Sequence, residues 1–156
     1  MSINLQGANG VAIALNSGGL AISLTLPTFT NAAAIAYTLG GRFFSKAIVA
    51  SVPLVIEPGT GVNPLLPQAL RTLAIGESCS FAVILDAAGN FTVAQGDIVA
   101  AGQSTPVAQA TIGKLVVGAI KVSANSAAFI PGTTALNAAG LVVTYLNLAQ
   151  HPGTSI

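Results

Sequence analysis

The stretch SCSFAVILDAAGNFTVAQGDIV, residues 78–99, decides the fold. Phe81, Val83 and Leu85 recur every second residue, a spacing that puts them on one face of a β-strand. Asp86-Ala-Ala-Gly-Asn90 then supplies residue types that turn a chain, with Asp86 placed to accept hydrogen bonds from nearby backbone amides. Phe91 and Val93 resume the alternation. The stretch predicts a β-hairpin.

The same pattern extends outward. IAYTLGGRFFSK (35–46) predicts a second hairpin, with Gly40-Gly41 as a two-residue turn. Such a turn needs positive φ at both central positions, which glycine adopts without strain. In 11–26, Val11, Ile13 and Leu15 alternate on one arm and Leu20, Ile22, Leu24 and Leu26 on the other, around Asn16-Ser-Gly-Gly19; a third hairpin is expected there, ended by Pro27. IVASVPLVI (48–56) predicts a strand at an edge or a bulge, because Pro53 has no amide to give to a ladder. Residues 57–68 read as a loop, in which Asn63-Pro64 is an allowed start for a short helix to Leu73. Residues 100–113 form a small-residue loop around Pro106. Strands are expected at 114–123, near Phe129 and at 141–148.

About nine or ten short strands at regular spacing predict an all-β chain. The expected architecture is an antiparallel β-sandwich or barrel, jelly-roll-like in kind. Residues 31–150 make the β-sandwich domain and 151–156 a loose tail. Residues 1–30 are a candidate assembly arm or hairpin, because no charged side chain precedes Arg42.

Charge is the unusual quantity. Only 6% of the 156 residues are Asp, Glu, Lys or Arg, against about 25% in an ordinary globular chain. Hydrophobic residues make up 53% and aromatics 5%. A surface this poor in charge has little to prevent association. Burial against other subunits is therefore expected, in a homo-oligomer (dimer or trimer) or on a larger assembly. A membrane is the weaker explanation. Each apolar run is interrupted well short of the roughly 20 residues a spanning helix needs, and residues 1–20 do not read as a signal peptide. The net charge of +1 without a basic cluster argues against nucleic acid.

Catalytic chemistry is poorly supplied. The one histidine, His151, lies in the tail, where a triad could not hold it. Gly76-Glu-Ser78-Cys-Ser80 starts like a nucleophile elbow, but Ser80 stands where Gly is required, so a turn into the strand is preferred. Of the four carboxylates, Asp86 and Asp97 fall about 20 Å apart along the hairpin, too far for a glycosidase pair; a Glu57/Glu77 pair has nothing to support it. Cys79 flanks an apolar strand and reads as a small buried hydrophobe. One Cys and one His far apart give no metal site. Gly59-Thr-Gly61 is too short for a dinucleotide fingerprint, and Asn90-Phe91-Thr92 is better explained as a hairpin turn than as a glycosylation sequon. No catalytic, cofactor-binding or metal-binding residue is expected, and the chain is read as no enzyme.

Three segments resemble small tailed-phage virion proteins of the capsid decoration (cement) or head-fibre kind. They are GESCSFAVILDAAGNFTVAQGDIVA (76–100), GKLVVGAIKV with FIPGTTALNAAGLVVTYLNL (113–148), and, in style, IAYTLGGRFFSKA (35–47). The resemblance covers about two-thirds of the chain. Its most specific block is Pro131-Gly-Thr-Thr-Ala-Leu-Asn-Ala-Ala-Gly140, in which Asn137 departs from the Asp expected. The resemblance implies a virion structural protein made in the host cytoplasm, bound to the major capsid protein and carrying no active site. Two alternatives stay open. One is a head-fibre or tail-fibre component with residues 1–30 in a stalk. The other is a carbohydrate-binding or adhesin module, for which Tyr37 and Tyr145 would be the stacking residues.

Overall fold

A computed structural model of the chain describes residues 12–23, 27–55, 70–108, 110 and 113–147. These form eleven strands: β1 (Ala12–Ala14), β2 (Leu20–Ile22), β3 (Thr28–Asn31), β4 (Ile35–Leu39), β5 (Arg42–Lys46), β6 (Val49–Pro53), β7 (Glu77–Leu85), β8 (Phe91–Gln95), β9 (Val99–Ala100), β10 (Leu115–Ala124) and β11 (Leu141–Asn147). No helix occurs among the described residues. The protein is all-β. Its three antiparallel sheets have the orders β1-β4-β5, β2-β3-β6 and β11-β10-β7-β8, with β9 also on β7. None closes into a barrel, so the arrangement is sandwich-like.

Strand β7 and its neighbour β10 organise the core. Cys79, Phe81, Val83 and Leu85 face the main core together with Leu115, Val117, Ile120 and Val122 of β10. The sequence predicted one buried face for β7, but both are covered. Ala82 and Ile84 on the reverse side pack with Ala94, Val116, Ala119 and Val107. Val107 belongs to the 101–108 segment, which the sequence presented only as a loop. It lies over the back of the sheet, and Ser80 Oγ meets Thr105 Oγ1 beneath it at 2.5 Å.

A β-bulge explains why KLVVGAIKVS lacks clean alternation. The β10–β7 register jumps from Val116↔Ile84 to Gly118↔Val83. Val117 is the extra residue, and it switches the core-facing positions of β10 from 115 and 117 to 120, 122 and 124. Gly118 fits because a Cβ there would collide with the Leu20 side chain and stand 2.5 Å from the Leu146 carbonyl oxygen.

Two expected hairpins form. Gly40 and Gly41, at φ 55° and 77°, turn β4 into β5, and β7 returns as β8 in unbroken register. The expected hairpin at 11–26 does not. β1 pairs with β4 and β2 with β3, in different sheets. Residues 16–19 instead lie along 31–36. Gly18 and Gly19 carbonyls accept from Ala33 and Ala32, and Asn16 bonds Ala34 O and Ala36 N. Gly18 sits so close under Ile35 that a Cβ would be 2.6 Å from its Cδ1. The Asn/Gly cluster therefore carries the chain between sheets. Residues 12–30 supply Ala14, Leu20 and Phe29 to the main core; residues 1–11 lie outside the described part, as do the loop 57–68 and the tail 151–156.

Among the described residues strand β6 pairs only with β3, through a register shift opposite Phe29/Asn31, which places Pro53 where its missing amide is tolerated. The strand expected near Phe129 reduces to a single bridge, Leu73↔Phe129.

Candidate assembly surface

Several residues with chemical potential are engaged in structural hydrogen bonds. Ser78 Oγ bonds Ser123 Oγ at 2.8 Å, holding β7 to β10. A Glu77 carboxylate oxygen accepts from Ala74 N at 2.7 Å. Asp86 does what the turn reading predicts: its Oδ1 accepts from Asn90 N at 2.8 Å and its Oδ2 from Asn90 Nδ2 at 3.1 Å. Burial opposes the Asp86 charge, but these bonds, the Ala88 amide and Lys114 outweigh it and hold the carboxyl below its ordinary range. Tyr37 is fully buried and donates to the Asp86 carbonyl at 2.9 Å, so it is no stacking platform. Among the described residues no three His, Cys, Asp or Glu side chains gather as a metal site would require. Glu57, Gly59-Thr-Gly61 and His151 lie outside the described residues.

Cys79 is fully buried, with Sγ 3.3 Å from the Gly96 carbonyl oxygen. Desolvation pushes its thiol up to about 11. A protonated, inaccessible thiol is a poor nucleophile. The native protein is expected to react with an aromatic disulfide reagent at pH 8 only at its unfolding rate, and at once in denaturant; fast labelling of the native state would contradict the burial.

Several large apolar side chains are exposed at the surface. On the outer face of β1-β4-β5, Ile13, Thr38 and Phe43 stand in register, with Phe43 66% exposed. Leu15 is exposed beside them, its amide bonded to the Ala36 carbonyl. Ile48, Ile75, Ile130 and Val142 are exposed elsewhere. The charged residues sit mainly at turns and strand ends. Arg42 follows the β4–β5 turn. Lys46 reaches over the Phe91 ring, 5.5 Å from its centroid.

The edges differ. β5 carries Arg42 and Lys46, β6 carries Pro53 and the bulge, and β8 is covered at residue 55, where Val93 N donates to Val55 O at 2.7 Å. β11 has none of these features. It runs seven residues in unbroken register with β10, has no charged residue, and meets β2 where Leu20 N donates to Asn147 Oδ1. Tyr145, on its inner side, has a buried hydroxyl with no hydrogen-bond partner among the described residues, and desolvation pushes its pKa up to about 12. An unsatisfied buried hydroxyl destabilises, so Tyr145→Phe is expected to stabilise by about 1 kcal/mol, read as a raised urea midpoint; a loss of similar size would reveal a partner.

Asn31 and the Ser80–Thr105 contact had no signal in the sequence, since single polar residues in a strand carry no period. Comparison with family models, curated proteins and solved structures finds no match.

Proposed function

We propose that the protein is a non-enzymatic virion structural protein, a capsid decoration or cement protein that binds the mature head shell as a homo-oligomer and stabilises it. One observation carries the reading. A chain with 6% charged residues folds into a sheet protein whose exposed residues include Phe43, Ile75, Ile48, Leu15 and Val142. Such a surface is suited to contacts that are apolar and backbone-mediated. The resemblance of 76–100 and 113–148 to small virion proteins points to the major capsid protein as the second partner.

The mechanism is linkage. A protein that binds the assembled shell and not its dissociated subunits lowers the free energy of the shell, and symmetric copies add avidity. With few ion pairs involved, binding should depend weakly on salt. The test compares particles with and without the protein under heat and osmotic stress. Decorated particles should retain their contents to higher stress. Equal breakage would overturn the cement reading in favour of a head-fibre or tail-fibre role.

A further inference from the structure

We propose that β11 is the strand through which two copies of this chain pair, antiparallel about a two-fold axis at Thr144, joining their β11-β10-β7-β8 sheets into one. The inference rests on the self-assembly reading above and gives it a site.

An open strand edge offers unpaired amides and carbonyls to any other strand, and proteins normally blunt it with charge, proline, a bulge, shortness or a cover. Each other edge noted above carries such a device, or belongs to a strand of two or three residues, as in β1, β2 and β9. β11 is seven residues long, uncharged, free of proline and regular along its whole register. Among the described residues no strand pairs with its outer edge. Val142, on the face of β11 turned from the main core, is 52% exposed.

The occupant follows from the sequence Leu141-Val-Val-Thr144-Tyr-Leu-Asn147. A two-fold axis makes an interface self-complementary, each residue meeting its mirror position. Centred on Thr144, antiparallel pairing sets Thr144 against Thr144, Val143 against Tyr145, and Val142 against Leu146. Threonine pairs and aromatic–β-branched pairs are favoured cross-strand combinations. The absence of charge gives a second copy no repulsion to overcome and gives a charged partner nothing to hold.

The register makes the proposal testable in the full-length protein. Directly opposed antiparallel residues have Cα atoms about 4.5 or 5.5 Å apart, within the range of about 4.4–6.8 Å that a disulfide spans. Thr144→Cys should therefore give a covalent dimer on mild oxidation. Val142→Cys should not, because the two Val142 positions lie about 14 Å apart across the axis. Buried Cys79 contributes no background. Val142→Lys, which adds a charge to each of two opposed strands, should reduce the sedimenting species in size while leaving the β-type circular dichroism unchanged. Equal cross-linking of the two cysteine variants, absence of the Thr144→Cys dimer, or an unchanged size for Val142→Lys would each overturn the proposal. In those cases an oligomeric parent protein would leave self-assembly standing, through another surface such as the Ile13–Phe43 face. A monomeric parent would remove both.

Discussion

Phe81→Ala is expected to lower stability by about 4 kcal/mol, the range found for truncating a buried aromatic. Phe81 lies in the middle of β7, fully buried, between Ile120 of β10 and Gln95 of β8 in register. Its ring meets Phe129 edge to face, with centroids 5.9 Å apart. Phe129 is in turn held by the two-bond bridge to Leu73, at 2.9 and 3.0 Å. Truncation opens a cavity where the long segments 70–76 and 125–140 are tied to the sheet. Collapse is resisted because both faces of β7 are packed. Phe81→Leu, which retains most of the volume, should cost less than half as much. In urea, the midpoint should fall while the slope is unchanged. A loss under about 1 kcal/mol would mean that β7 is not the centre of the core.

The second large effect is at Asn31. It is fully buried and stands at the register shift between β3 and β6. Its Nδ2 donates to Ala33 O at 3.0 Å and Ala47 O at 3.1 Å, and its Oδ1 accepts from Val49 N at 2.9 Å. One side chain thus satisfies three backbone groups that the irregular ladder leaves over. Asn31→Ala should cost about 3 kcal/mol, since stranding a buried backbone group costs on the order of 1–3 kcal/mol. Asn31→Asp separates the roles. The new carboxylate could still accept from Val49, but when ionised it would face two carbonyl oxygens in a buried site. Its folded pKa should be raised, so the folded state would bind the extra proton and stability should fall as pH rises through that pKa. The parent protein should show no such loss between pH 5 and 7. Equal stability of Asn31→Ala and the parent would show that these backbone groups reach water.

The sequence carried those parts of the fold that depend on local chemistry. The period-2 runs and the Gly40-Gly41 and Asp86–Asn90 turns were legible because a turn and its strands are contiguous. The 16–19 cluster misled for the same reason. Asn, Ser and Gly mark a change of direction, but whether the chain returns on itself or crosses to another sheet depends on Ile35 and residues 31–36, which local pattern does not contain. The second buried face of β7 was hidden likewise, since its cover, Val107, comes from a segment without periodicity. At the β10 bulge, alternation failed because Val117 is an added residue and not because the strand ends. The candidate surface was legible only in outline. Composition indicated an exterior with little charge, but which edge stands open follows from strand order alone.

The central claim is that this surface exists to be covered by protein. Sedimentation velocity of the purified chain at micromolar concentration, in moderate salt, tests it most directly. The account predicts a species of at least twice the 15.4 kDa chain mass, persisting as salt is raised, since few ion pairs hold it. A single 15.4 kDa species at every concentration and salt would contradict it.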